Sequence, residues 1–145
     1  MSLHGNDRYL MIEWLHSMEI YDYDIYDGII HVVGDVDLYN KRLICIPVQF
    51  GYVSGYFNCG WNRLTSLEGC PSEVGGAFYC SHNNLKSLEG CPSEVGGNFK
   101  CHDNQLTSLH GCPSEVGGDF FCSFNYLKVE PDHSGIKIGG KFLWK

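Results

Sequence analysis

Four residues of the kinds that hold transition metals, Cys80, His82, Cys101 and His102, crowd into the middle of this chain. Thiolates and imidazoles at short spacing are the donors of zinc sites, where they converge on one ion. The cysteines, however, recur at a fixed interval: Cys59, Cys80, Cys101 and Cys122 form one column, and Cys70, Cys91 and Cys112 a second. Residues repeated in this way stack as a ladder with rungs about 4.8 Å apart between strands, and a ladder does not converge on a point. Both columns are expected to pack inward as reduced thiols, which behave as small buried hydrophobes. No metal and no cofactor is expected; Cys45 belongs to neither column.

Signatures of catalysis are missing too. The seven histidines include no H-E-x-x-H, and no G-x-S-x-G occurs. A cysteine nucleophile needs a base beside it, whereas each candidate cysteine recurs from unit to unit, which marks scaffold. The glycine pairs, such as Gly75-Gly76 and Gly96-Gly97, are followed by no Lys-Ser/Thr. They are read as tight turns or φ > 0 positions ahead of strands, not as phosphate loops. No enzymatic activity is expected.

What must position these residues is a repeat. The strings LTSLEGCPSEVGG, LKSLEGCPSEVGG and LTSLHGCPSEVGG begin at Leu64, Leu85 and Leu106. Further columns march in step: Phe57, Phe78, Phe99 and Phe120; Asn62, Asn83, Asn104 and Asn125. A period in this range signals a solenoid. Upstream, Gly34, Val36, Leu38, Leu43, Ile46 and Val53 occupy the same columns in degraded form, and downstream IGGKFLW repeats VGGDFFC with one residue inserted, so that Trp144 stands for a cysteine. The expected organisation is an N-terminal cap over residues 1–33, repeats over 34–128 and a capping strand over 129–145. The asparagines sit where the strand bends away, where an amide can satisfy backbone groups left unpaired by the turn. One unit buries too few side chains to offset the entropy of ordering its backbone, roughly 1–2 kcal/mol per residue, so stability must come from stacking and from end caps.

The cap is legible in NDRYLMIEWLHSM, where Asn6 or Asp7 can cap a helix with Leu10, Trp14, Leu15 and Met18 on one face. Beyond it, YDIYDGIIHVV alternates around Asp27-Gly28, a two-residue hairpin signal.

The pattern F-x-C-x-x-N-x-L resembles the leucine-rich repeat, with Phe and Cys where leucines usually sit on the short strand. The string LTSLEGCPSEVGG is similar to a repeat type of uncharacterised proteins of large bacteriophages and some bacteria. This resemblance spans residues 34–128. It implies a mostly β, curved, right-handed leucine-rich-repeat solenoid with a parallel ladder of short strands, and a role in binding instead of a reaction. It further implies a factor that engages a bacterial host protein, in the host cytoplasm if phage-encoded, with inhibition of a defence or nucleic-acid enzyme as one form.

Binding should lie where otherwise near-identical units differ. The outward positions of successive strands, expected on the concave side, read Tyr56, Asn58, Gly60 and Trp61; Ala77, Tyr79, Ser81 and His82; Asn98, Lys100, His102 and Asp103; Asp119, Phe121, Ser123 and Phe124. Arg63, Asn84, Gln105 and Tyr126 follow the asparagines. Trp61, Tyr79, Phe121, Phe124 and Tyr126 have no core duty in this register, and together with Tyr56, Arg63, His82, Lys100, His102 and Asp103 they form the expected protein-binding face, since grouped exposed aromatics are what such a patch requires. A strip of five or six strands offers only about 400 Å², half of what a standard interface takes from each partner. The cap or edge loops must contribute, or binding is weak.

Composition bounds the partners. The 145 residues carry 43% apolar content, a net charge of −7 and only 10 Lys and Arg, which supplies no basic stripe for a phosphate backbone. No direct nucleic-acid contact is expected. No apolar run approaches the roughly 20 residues needed to cross a bilayer, so a soluble, unsecreted, cytoplasmic protein is expected. The acidic run Glu19, Asp22, Asp24, Asp27, Asp35 and Asp37 is read as a solvated face or a contact for a basic partner. Two other functions fit the sequence: a virion assembly component, and an acidic mimic of nucleic acid.

Overall fold

Stacking identical units at a fixed interval forces like residues into register, and the computed structural model, which describes residues 7–145, shows how far that goes. Among the described residues the chain begins with one helix, α1 (Arg8–Ser17), and a hairpin of β1 (Tyr23–Tyr26) and β2 (Ile29–Val32). It then winds as a solenoid. One ladder is built from β3 (Val36–Asp37), β5 (Phe57–Asn58), β7 (Phe78–Tyr79), β9 (Phe99–Lys100), β11 (Phe120–Phe121) and β13 (Phe142–Leu143). Every pair in it is parallel, with Val36 opposite Phe57, Phe57 opposite Phe78, and so on to Phe142. The expected parallel ladder and its register are therefore present, and the inserted residue near the C-terminus is absorbed before β13.

A second ladder accompanies it. The PSEVGG segment shared by the three repeat strings forms β6 (Glu73–Val74), β8 (Glu94–Val95) and β10 (Glu115–Val116), which extend from β2 through β4 (Gln49–Val53) to β12 (Lys137–Ile138). Each coil thus contributes two short strands. The valines Val74, Val95 and Val116 point inward and the glutamates outward.

The glycine pairs owe their place to crowding. None of Gly75, Gly76, Gly96 and Gly97 has positive φ, contrary to one of the two expectations. A Cβ on Gly96 would instead overlap the Gly75 carbonyl oxygen, and one on Gly117 the Gly96 carbonyl oxygen. Stacked backbones approach so closely there that only glycine fits.

Between the ladders runs the core. The rings of Phe57, Phe78 and Phe99 stack with centroids 5.7 and 5.6 Å apart, and Phe120 follows at 4.9 Å with its ring tilted. Cys59, Cys80, Cys101 and Cys122 are wholly buried beside them, as expected of an inward column. Each asparagine of the next column clasps neighbouring coils: Asn83 Oδ1 accepts from the Leu64 N–H at 2.9 Å, and its amide donates to the Cys59 and Cys80 carbonyls. At the N-terminal end Trp14 lies 6.4 Å from Phe50, and at the other end His133 stacks on Phe142 at 3.7 Å.

The cap helix differs in detail from expectation. Its buried face is Met11 and Leu15 with half-buried Trp14 and Met18, whereas Leu10 is exposed. Positions 11, 14, 15 and 18 follow the helical period, and Leu10 falls one step outside it. Asp7 is the N-cap without a side-chain capping bond, and Asn6 lies outside the described residues. The helix ends with Glu19 at φ +61°, its N–H donating to His16 and that of Ile20 to Leu15, a Schellman closure. The Asp27-Gly28 turn has φ +50° and +75°, as a two-residue hairpin of this kind requires. Among the described residues no helix is long and apolar enough to cross a membrane.

Candidate functional site

The first ladder does not stop at its two-residue strands. Hydrogen bonds continue from coil to coil along the following segment: Cys59 N–H to Tyr79, Trp61 N–H to Ser81, His82 N–H to His102 and Asp103 N–H to Ser123. That lock fixes two exposed rows. One holds Asn58, Tyr79, Lys100 and Phe121, and the other Asn40, Trp61, His82, Asp103 and Phe124.

All five residues of the second row have φ between +53° and +55°. This left-handed conformation costs an L-residue roughly 1–2 kcal/mol, and asparagine, aspartate and glycine tolerate it best. Asn40 and Asp103 suit the turn; Trp61 and Phe124 do not. Bulky aromatics held where glycine would serve the backbone better point to a use for the side chain.

The row converges in its middle. The Trp61 ring stacks on His82 with centroids 4.1 Å apart, and the His82 and His102 rings meet edge to face at 5.2 Å. Asp103 Oδ2 lies 2.7 Å from His102 Nδ1 and 3.5 Å from His82 Nε2. Beside them the Lys100 ammonium sits over both the Tyr79 and Phe121 rings, 5.2 Å from each centroid. Such contacts contribute about 0.5–1 kcal/mol at exposed sites.

Tyr39, Asn58, Gly60, Trp61, Tyr79, Ser81, His82, Lys100 and His102 line one cleft of about 190 Å³. Pockets for drug-sized molecules run from about 300 Å³ upward, so this cleft suits one inserted side chain, or an ion with water. Ser81 is buried and its Oγ has no hydrogen-bond partner. Ser81, His102 and Asp103 therefore do not form a nucleophilic triad, because no ring nitrogen engages the hydroxyl.

The face expected from sequence is only partly assembled. Trp61, Tyr79, His82, Lys100, His102 and Asp103 come together, with Phe121 against Lys100. Phe124 and Tyr126 are well exposed, but Tyr126 lines a different depression with Leu109, Val129 and Pro131. Arg63 is exposed outside the cleft. Tyr56 is half-buried, and burial, followed by Asp37 and Asp35, raises its pKa. Gly60 and Ser81, expected to face solvent, are buried. Tyr39 is a cleft residue that the columns of differing residues did not include, although it stands one period before Gly60.

Exposed aromatic and aliphatic groups are not confined to this face. Tyr21, Tyr26 and Ile44 are also largely exposed. The acidic run has local duties: Asp35 Oδ1 accepts the Tyr56 N–H at 2.8 Å and Asp37 Oδ1 the Tyr39 N–H at 3.1 Å, while Asp27 forms the hairpin turn.

The first cysteine column is buried as expected, whereas in the second only Cys70 is buried and Cys91 and Cys112 are half-buried. Burial, reinforced by neighbouring thiols, pushes Cys70, Cys80 and Cys101 well above the usual range, and burial raises Cys91 and Cys122 to about 12. Cys80 and Cys101 face the core while His82 and His102 face the cleft, so the four do not form a mixed cluster. Comparison with known proteins adds no relative: no family model, no curated protein and no solved structure matches the chain.

Proposed function

We propose that this chain is a non-enzymatic protein-binding module whose working surface is the cleft around Trp61, Tyr79, His82 and Lys100. The observation that carries the reading is the left-handed row. Coils that are otherwise near-identical place different, conformationally costly side chains at one turn, and two of these are large aromatics. Binding energy in protein interfaces concentrates in a few aromatic or Arg anchors worth about 2 kcal/mol or more each, and the cleft admits one anchor side chain from a partner. The resemblance of the repeat to leucine-rich repeats of phage proteins supports a bacterial host protein as that partner, with the complex formed in the host cytoplasm.

The test is capture from bacterial lysate with matched variants. Trp61→Ala and Phe121→Ala should each weaken capture at least tenfold, whereas Glu94→Ala on the second ladder should leave it unchanged. Trp61→Gly sharpens the comparison, because it relieves the left-handed turn: the melting temperature should not fall although capture does. Capture abolished by Glu94→Ala and untouched by Trp61→Gly would place the working surface on the second ladder.

A further inference from the structure

We propose that His82, His102 and Asp103 form a binding site for one divalent first-row transition ion of the zinc class. The site is independent of the protein-binding reading, since an ion can be held whether or not a partner is.

The cysteine ladder does not converge on a point. These three residues do. One ring nitrogen of His82, one of His102 and an Asp103 carboxylate oxygen all lie within 4.8 Å of one another. Donors bonded at about 2.0–2.2 Å to a tetrahedral ion stand roughly 3.3–3.5 Å apart. His82 Nε2 and Asp103 Oδ2 are 3.5 Å apart, already at that spacing. His102 Nδ1 and Asp103 Oδ2 are 2.7 Å apart, and must open by roughly half an ångström to share an ion. The Asp103 side chain is about one-third exposed, at 35%, so it has room for that rotation.

Convergence arises because the donors straddle two columns on adjacent coils. His82 and Asp103 occupy the same left-handed position, and His102 precedes Asp103 in the chain. The His82 N–H to His102 carbonyl bond at 3.1 Å and the Asp103 N–H to Ser123 bond at 3.1 Å fix the backbones. Trp61, stacked on the His82 ring, restrains its orientation, as groups around a metal ligand commonly do.

Ser81 also lines the cleft, and its Oγ is the buried side-chain polar atom that has no hydrogen-bond partner among the described residues. Lys100 also lines the cleft, but its ammonium is held over the Tyr79 and Phe121 rings.

Two imidazoles and one carboxylate favour zinc, copper or nickel over calcium and magnesium, which take oxygen donors. With three protein donors, a tetrahedral ion keeps one position for water or an incoming group.

Tag-free chain stripped with chelator is titrated with zinc by calorimetry and with cobalt by absorption. One ion per chain should bind in the micromolar range or tighter, and cobalt should give ligand-field bands without a thiolate charge-transfer band. His82→Asn and Asp103→Asn keep a residue suited to the left-handed turn, so the fold is preserved, and each should weaken affinity at least tenfold. His110→Ala and His133→Ala should not. Absence of saturable binding at micromolar zinc, a thiolate band with cobalt, or affinity unchanged in His82→Asn and Asp103→Asn would each overturn the proposal.

Discussion

Asn104 shows how much one side chain holds. Its Oδ1 accepts from the Leu85 N–H at 3.0 Å, its amide donates to the Cys80 and Cys101 carbonyls at 3.1 Å, and it is 6% exposed. Alanine there would strand three buried backbone groups at about 1–3 kcal/mol each. A loss of about 3–5 kcal/mol in urea unfolding is expected for Asn104→Ala. Asn125→Ala should cost less, because that residue is half-buried and water can replace the amide. The thiols give a second prediction at this scale. Their folded pKa values lie above the ordinary 9.0, so between pH 9 and about 12 the unfolded chain has lost protons that the folded chain retains. Stability must therefore fall as pH rises through that window, by up to about 1.4 kcal/mol per pH unit for each buried thiol. Urea midpoints measured from pH 7.5 to 10.5 should show this decline, and thiol reagents should modify Cys80, Cys101 and Cys122 only after denaturation.

At the scale of elements, the second ladder carries a built-in conflict. Glu73, Glu94 and Glu115 stand in register on adjacent strands, and at the end of the row Lys137 Nζ lies 3.5 Å from Glu115. Like charges directly opposite destabilise a sheet by a few tenths to about 1 kcal/mol. Glu94→Lys, with a carboxylate on either side, should raise stability by about 0.5–1 kcal/mol at low salt, an effect that shrinks as salt screens it. The same ladder marks a limit of the sequence. The β5, β7, β9 and β11 strands were legible because their invariant Phe and Cys columns alternate with residues that change from unit to unit. Glu-Val pairs flanked by glycine have no such alternation, and their pairing arises only when coils stack. The asparagine clasps could be anticipated from position alone. The grouping of His82, His102 and Asp103 could not, because reading column by column separates residues that the left-handed turn brings back together.

At the scale of the molecule, the fixed interval should make coils interchangeable. Deleting residues 78–98 removes one whole period and joins Ala77 to Phe99, so Phe99 inherits the place of Phe78 between Phe57 and Phe120, and Asn104 that of Asn83. Both ends are untouched: Trp14 still faces Phe50, and His133 still stacks on Phe142. Because solenoid stability is a sum of unit and neighbour terms, the shortened chain should fold with the same circular-dichroism signature per residue and a lower melting temperature. A deletion of residues 78–88 removes about half a period, driving Glu89 into the core place of Phe78 and Gly96 into that of Leu85, and should abolish cooperative unfolding. If the two deletions are equally disruptive, the coils are not equivalent and the fold depends on particular contacts between its ends. The in-phase deletion also separates structure from binding: it takes away Tyr79 and His82 while leaving Trp61, His102 and Asp103, so a folded shortened chain should lose zinc affinity and host-protein capture together with the cleft.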